Sequence, residues 1–185
     1  MKSVKKLTLT ALLTALCYVA FTFIQIKIPT PAGYTSFHLG NVFCVLAALL
    51  IDGPTGGLAG ALGMAIGDML DPVYIVTTPK TIILKYIMGY VAGYFAHNVF
   101  HIKEKSGKDL TKYAVISIAI AMVVNIIMEP LFSYFYYGLI LNNATKAASY
   151  LTVAKYVTTA VNGVLTIIVA SSLYVVLAKS NIVKE

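Results

Sequence analysis

Six stretches of the chain are apolar over most of their length, and short polar segments separate them. A membrane-spanning helix needs about 20 predominantly apolar residues. The stretches cover approximately residues 7–26, 38–52, 54–70, 80–101, 111–135 and 148–178. The pattern therefore predicts an all-α integral membrane protein with six transmembrane helices, which together form a single membrane domain over residues 1–185.

The segments between the apolar stretches contain residues that end helices. The first connection, residues 27–37, holds two prolines and a glycine, which favour a loop. An Asp-Gly-Pro sequence at 52–54 predicts a tight turn, and the lysine-rich segment 101–112 predicts a solvated loop. Residues 142–146 end the connection before the last helix. No linker or long-period repeat divides the chain.

Composition supports a lipid bilayer as the environment. The chain is 59% hydrophobic and 11% charged, whereas an ordinary soluble domain is about one-quarter charged. A chain of 185 residues cannot bury that much apolar surface in one water-soluble core. The N-terminal lysines and apolar run resemble a signal peptide, but the run is too long and lacks a clear cleavage site. We therefore expect it to be retained as the first helix.

The lysines predict the topology. They cluster before the first helix, in segment 101–112 and after the last helix, and an even number of spans brings these clusters to one side. The positive-inside rule makes that side, with both termini, cytoplasmic. The net charge of +7 thus reflects topology, and no nucleic-acid partner is expected. Cys17 and Cys44 lie within apolar runs, which makes a disulfide unlikely.

Four ionisable residues in or at the ends of apolar runs predict a binding cavity. Asp68, Lys85, Glu129 and Lys155 all fall in the extracytoplasmic third when successive helices alternate in direction. Each costs about 2.5–3.5 kcal/mol at the bilayer centre, so such residues usually face a cavity and mark function. Either lysine alone could instead extend to the headgroups, but the shared depth of all four favours a site with internal charge balance.

Other polar and aromatic residues at this level complete the predicted substrate site. Aromatic rings would offer flat surfaces for a ring-shaped ligand, although most of the tyrosines fit an interfacial belt. The predicted residues beyond the four charged ones are Tyr34, Phe37, His38, Asn41, Tyr74, Tyr86, Tyr156 and Thr159, with Asn125 and Asn162 one or two turns deeper.

The chain carries no recognisable catalytic motif. His97 and His101 have helical i,i+4 spacing but no His-Glu-x-x-His arrangement, and no Walker loop is present. We therefore predict no catalytic residue, metal or cofactor. If the protein concentrates a solute, the energy must come from an ion gradient or from a partner.

The chain resembles the substrate-binding S component of an energy-coupling factor (ECF) vitamin transporter. The resemblance rests on the six helices, on Ala11-x-x-x-Ala15, and on the segments FHLGNVFCVLAALLIDGPTGGLAGALGMAIGDML (37–70) and PKTIILKYIMGYVAGY (79–94). It implies a multi-pass protein of a bacterial-type cell membrane that binds a vitamin. It further implies a transmembrane coupling subunit, docked on Ala11 and Ala15, and two cytoplasmic ATPases.

Within that family the chain is most similar to the hydroxymethylpyrimidine or pyridoxine-type members. Paired carboxylate and ammonium groups suit a neutral or zwitterionic heterocycle, while riboflavin and thiamine remain open. Two alternatives come from other classes. One is a stand-alone proton- or ion-coupled carrier that titrates Glu129 or Asp68, and the other is a membrane-embedded enzyme.

Overall fold

The computed structural model describes residues 3–141 and 145–180, which form six long helices and one β-hairpin. The helices are α1 (Ser3–Thr22), α2 (Gly40–Leu50), α3 (Gly53–Met69), α4 (Thr78–Tyr94), α5 (Gly107–Phe135) and α6 (Thr145–Lys179), and the strands are β1 (Gln25–Thr30) and β2 (Gly33–His38). Part of the sequence-based prediction lies outside the described residues: Lys2, Lys184 and positions 142–144 of the last connection.

The first connection is a β-hairpin and not a loop. Its strands pair antiparallel, with Gln25 opposite His38 and Thr30 opposite Gly33. Gly33 has φ +144°, a backbone conformation that glycine adopts readily. A two-stranded hairpin has only edge strands, which tolerate proline, so the prolines did not prevent pairing. The loop predicted for residues 27–37 is therefore a pair of strands within an otherwise helical protein, and α1 ends at Thr22 instead of near residue 26.

Several helix boundaries differ from the predicted ones. A π-helical turn at Phe95–Val99 extends α4, and another at Tyr136–Ile140 extends α5. The predicted loop 101–112 is shorter than expected, because α5 begins at Gly107. The first turn of α5 is polar and exposed, so the composition of this turn resembles that of a loop.

Three helical segments are long and apolar enough to cross a membrane, judged by length and composition within the described residues. They are Val4–Thr22, Gly107–Ile140 and Lys146–Lys179. The apolar helix α2 has 11 residues, and α3 and α4 have 17 each. The six-span arrangement therefore stays a prediction.

Glycines allow α3 to pack closely against both α2 and α4. A Cβ added to Gly56 of α3 would lie 2.3 Å from the Cα of Ala48 in α2. A Cβ added to Gly93 of α4 would likewise lie 2.3 Å from the Cα of Gly53. Small residues let backbones approach where lipid offers no hydrophobic driving force. These contacts pack α2, α3 and α4 together as one unit.

We expect Gly56→Ala to lower the free energy of unfolding by about 1–3 kcal/mol, because the new methyl group overlaps backbone atoms of α2. Denaturant unfolding in detergent measures the loss. Gly138→Ala is the matched control, since an added Cβ there meets no described atom within 4 Å. Equal stability of the two variants would contradict the close-packing account.

Candidate functional site

A polar cavity lies at the hairpin end of the helices, and all six helices and β2 or their connections contribute to its wall. Ten of the predicted site residues line it: His38, Asn41, Asp68, Tyr74, Lys85, Asn125, Glu129, Lys155, Thr159 and Asn162. Seven further residues complete the wall: Phe21, Thr35, Ser36, Thr77, Lys80, Thr81 and Thr158. The four ionisable residues that the sequence analysis placed at one depth therefore line the same cavity.

The centre of the cavity is the carboxylate of Glu129, which faces three lysines from two neighbouring helices. Lys80 of α4 donates a hydrogen bond to Oε1 of Glu129. Lys155 Nζ of α6 lies 3.2 Å from the same oxygen, and Lys85 Nζ of α4 lies 3.9 Å from Oε2. All four side chains are buried. Because charges interact strongly away from water, this cluster links α4, α5 and α6.

Helical periodicity explains why these side chains converge. Asn125 and Glu129 are four residues apart on α5, so they share one face, and Asn125 Oδ1 lies 3.4 Å from Lys85 Nζ. Residues 155, 158, 159 and 162 form a corresponding polar face on α6. Each helix thus directs a polar stripe inward and leaves apolar residues outside.

Asp68 occupies a separate position in the wall. Its Oδ2 accepts a hydrogen bond of 2.5 Å from Thr81 Oγ1, and Thr81 is four residues before Lys85 on α4. Counting formal charges, three lysines and the carboxylates of Glu129 and Asp68 give 3 − 2 = +1 for the cavity wall. The wall therefore carries a small formal excess of positive charge and offers both donors and acceptors.

Strand β2 closes the cavity and is held by α6. Asn162 Oδ1 accepts from the backbone N–H of His38 at 3.1 Å, and Asn162 Nδ2 donates to the carbonyl of Ser36 at 3.0 Å. The hydroxyls of Thr35 and Thr158 are 2.7 Å apart. The side-chain amide of Asn162 thus pairs with backbone groups at the edge of β2, as the backbone of a neighbouring strand would.

Several buried polar atoms of the cavity residues have no hydrogen-bond partner among the described residues. They include His38 Nδ1, Asn41 Oδ1 and Asn125 Nδ2. A buried polar group without a partner costs about 1–3 kcal/mol, so such atoms usually await water or a ligand. About 50 Å³ of the cavity is open to the centre of a water-sized sphere, so the cavity can admit water beside these atoms.

Four predicted residues do not line the cavity: Tyr34, Phe37, Tyr86 and Tyr156. Tyr86 and Tyr156 each follow a buried lysine, and the rotation of about 100° per helical residue turns them outward, where they are 40% and 44% exposed. Tyr86 instead stacks on Tyr90 along the outer face of α4, with ring centroids 6.3 Å apart. The aromatic rings at the cavity are those of Phe21, His38 and Tyr74.

Lys80 is the most important residue that sequence reasoning missed. It lies in the first turn of α4 after Pro79, where a lysine resembles an interfacial residue. Thr77, Thr81 and Lys85 are spaced at i, i+4 and i+8, and this spacing defines the inward face of α4. Lys80 is three residues after Thr77, so the same spacing could have placed Lys80 on that face. Its buried contact with Glu129 came only from the structure.

Comparison with known proteins identifies the family. The family model described as "ECF-type riboflavin transporter, S component" matches residues 1–179. The chain belongs to this family. It is therefore a substrate-binding membrane subunit of an ECF transporter, which is a transport subunit and not an enzyme. Its family implies a small-molecule substrate and interaction with a coupling subunit and ATPases.

Two solved structures share the fold. ThiT from Listeria monocytogenes superposes with a TM-score of 0.67 at 17% identity, covering 97% of this chain and 96% of that chain. The S component of a bacterial ECF transporter superposes with a TM-score of 0.62 at 20% identity, covering 97% of this chain and 98% of that chain. At this identity the likeness concerns the fold alone.

One curated relative, an uncharacterized protein of Pyrococcus woesei, is 30% identical over 78 residues, which is 42% of this chain. The match spans about half of that relative, 51% of its length.

We expect Glu129→Gln to reduce the free energy of unfolding by about 3–5 kcal/mol, because three buried ammonium groups lose their shared counter-charge. Denaturant unfolding in detergent measures the change, and Glu104→Gln, at an exposed position, is the control. Adding Lys80→Met to the Glu129 variant should restore part of the loss. No recovery in the double variant would contradict a charge-based origin.

Proposed function

We propose that this chain captures a small vitamin-like heterocycle in the cavity around Glu129 and delivers it to the cytoplasm with a transmembrane coupling subunit and two ATPases. The observation that carries the proposal is the buried cluster of Glu129 with three lysines, in the same space as unpaired polar atoms. Buried charge is costly in a membrane protein and is retained where it serves function. We assign the hairpin end to the outside of a bacterial-type cell and the lysine-rich end to the cytoplasm, with six spans in one domain.

The chemistry of the wall favours a neutral or zwitterionic ring compound. The lysines and Asn125 can donate to a ring nitrogen, carbonyl or hydroxyl, while Glu129 and Asp68 can accept from a hydroxyl or amine. Phe21 and His38 meet edge to face with centroids 4.9 Å apart, which gives the ligand an aromatic border. These features support all ten lining residues of the predicted site as ligand contacts.

The small free volume supports a single-ring substrate of the hydroxymethylpyrimidine or pyridoxine type. The family description names riboflavin, whose three fused rings would need far more space than the roughly 50 Å³ now open. A single ring requires less displacement of the hairpin. Movement of the hairpin is still needed, because Asn162 and Thr158 hold β2 directly over the cavity.

The exposed face of α1 supports docking of the coupling subunit. Ala11 and Ala15 are both exposed and lie four residues apart, in line with Val19. Small residues at this spacing permit close contact between helices in lipid. The face is away from the cavity, so docking and ligand binding use different surfaces.

The first test identifies the ligand by mass spectrometry of small molecules released from the gently purified protein, followed by titration calorimetry. We expect Lys85→Ala to bind the ligand about 10- to 100-fold more weakly, because a hydrogen bond from a charged group is lost. Tyr86→Ala, one residue away but facing outward, should bind as the wild type does. Equal affinity of wild type and Lys85→Ala would remove Lys85 from the site. Release of riboflavin would refute only the single-ring preference.

A second test separates docking from binding. We expect Ala11→Leu and Ala15→Leu to abolish ATP-dependent uptake and co-purification with the coupling subunit, while ligand affinity stays unchanged. Val123→Leu, on an exposed face of α5, is the control for a leucine at an exposed position of another helix. Uptake by vesicles that hold this chain alone, driven by a proton gradient without ATP, would instead favour the ion-coupled carrier.

A further inference from the structure

A second, larger cavity lies at the end of the helices opposite the Glu129 site. About 640 Å³ of it is open to the centre of a water-sized sphere. Its charged lining comes from α1, the turn between α2 and α3, the segment before α5, and the end of α6: Lys6, Asp52, Lys103, Lys105 and Lys179. We call this cavity the lysine pocket. The transport site described above does not account for it.

The lysine pocket carries a strong excess of positive charge. Four lysines face one carboxylate, a formal balance of 4 − 1 = +3. Lys6 Nζ lies 2.6 Å from Asp52 Oδ2, so Asp52 is already paired. Partial burial opposes ionisation of Asp52, yet hydrogen bonds from Lys6 and Thr55 keep the pKa of its carboxyl below the usual range. Glu104 and Asp109 belong to the same region of the chain but do not line the pocket.

Most of the other lining residues are apolar. Leu50, Leu110, Tyr174 and Ala178 line the pocket together with the lysines, so part of its wall is hydrophobic. Gly107, the first residue of α5, also lines it, and an added Cβ there meets nothing described within 4 Å. The unsatisfied backbone N–H groups of the first turn of α5 add to the attraction for an anion.

The depth of the pocket matches that of lipid headgroups. All three helical segments long enough to span end there: the first begins at Val4, the second begins at Gly107, and the third ends at Lys179. Lysines and residues of the helix ends thus line the pocket at the level where these segments would leave a membrane. Basic pockets between membrane helices near a surface are typical sites for anionic lipid headgroups.

We propose that the lysine pocket binds one anionic phospholipid, with its phosphate among Lys6, Lys103, Lys105 and Lys179 and an acyl chain against Leu110 and Ala178. Charge complementarity selects an anion, and the adjoining apolar side selects an anion that carries a hydrocarbon chain. A free phosphate would use the lysines alone. The lipid holds the start of α1, the start of α5 and the end of α6 together at this surface.

The test titrates delipidated full-length protein in neutral detergent with short-chain phosphatidylglycerol, short-chain phosphatidylcholine or inorganic phosphate. Thermal unfolding and native mass spectrometry report stabilisation and bound lipid. We expect phosphatidylglycerol to raise Tm and stay bound, and the other two to have little effect. The double variant Lys105→Ala/Lys179→Ala should bind phosphatidylglycerol about 30-fold more weakly, because each lysine near an anionic surface contributes about one kcal/mol.

The matched control is Lys108→Ala/Lys112→Ala, which removes two lysines of the same region that do not line the pocket and should leave lipid affinity unchanged. If the double pocket variant does not fold, the two single variants are compared in the same way. Equal effects of phosphatidylglycerol and phosphatidylcholine would overturn the proposal, as would equal losses in pocket and control variants. Stabilisation by inorganic phosphate alone would assign a phosphate-ion site, and stabilisation only by an acidic segment of a partner protein would assign a protein interface; either result also overturns it.

Discussion

The carboxylate of Glu129 is the interaction on which the polar end of the molecule depends. It comes from α5 and balances lysines of α4 and α6 that would otherwise be buried ammonium groups without a partner. A buried ion pair contributes little net stability relative to an apolar pair, but the loss of one partner is severe. The cluster is therefore better understood as a way to keep charged groups inside a membrane protein. A ligand that enters this cavity exchanges contacts within an existing charge network.

Two different kinds of packing surround that network. On one side, glycines let α3 approach α2 and α4 so closely that a single methyl group would overlap backbone atoms at Gly56 or Gly93. On the other side, the hairpin is held by hydrogen bonds from Thr158 and Asn162. Hydrogen bonds across a small polar surface open more readily than an interlocked helix contact. The molecule thus combines a wall of closely packed helices with a cover held by a few hydrogen bonds.

The sequence was sufficient to predict the helices and the convergence of the four charged residues, because both follow from the length and order of apolar runs. Asp68, Lys85, Glu129 and Lys155 do line one cavity. The sequence was not sufficient to predict which side of a helix each residue faces. Tyr86 and Tyr156 were therefore predicted to line the cavity, although each follows a buried lysine and faces outward. Lys80 was missed because a lysine in a first turn normally reaches water. The hairpin was missed because prolines are ordinarily evidence against strands. Proline excludes a strand only at positions where the ladder needs a backbone N–H donor, and the outer edge of a hairpin needs none.

Helix α6 is continuous over 35 residues, from Thr145 to Lys179, a length of about 52 Å. Its first half carries Lys155 and the Asn162 contact to the hairpin, and its last residue lines the lysine pocket. A continuous helix tilts as one body, so a displacement of α6 at the Glu129 site would also displace Lys179 at its other end. Under the proposed function, a partner in contact with that end would then respond to occupancy of the cavity without touching the ligand.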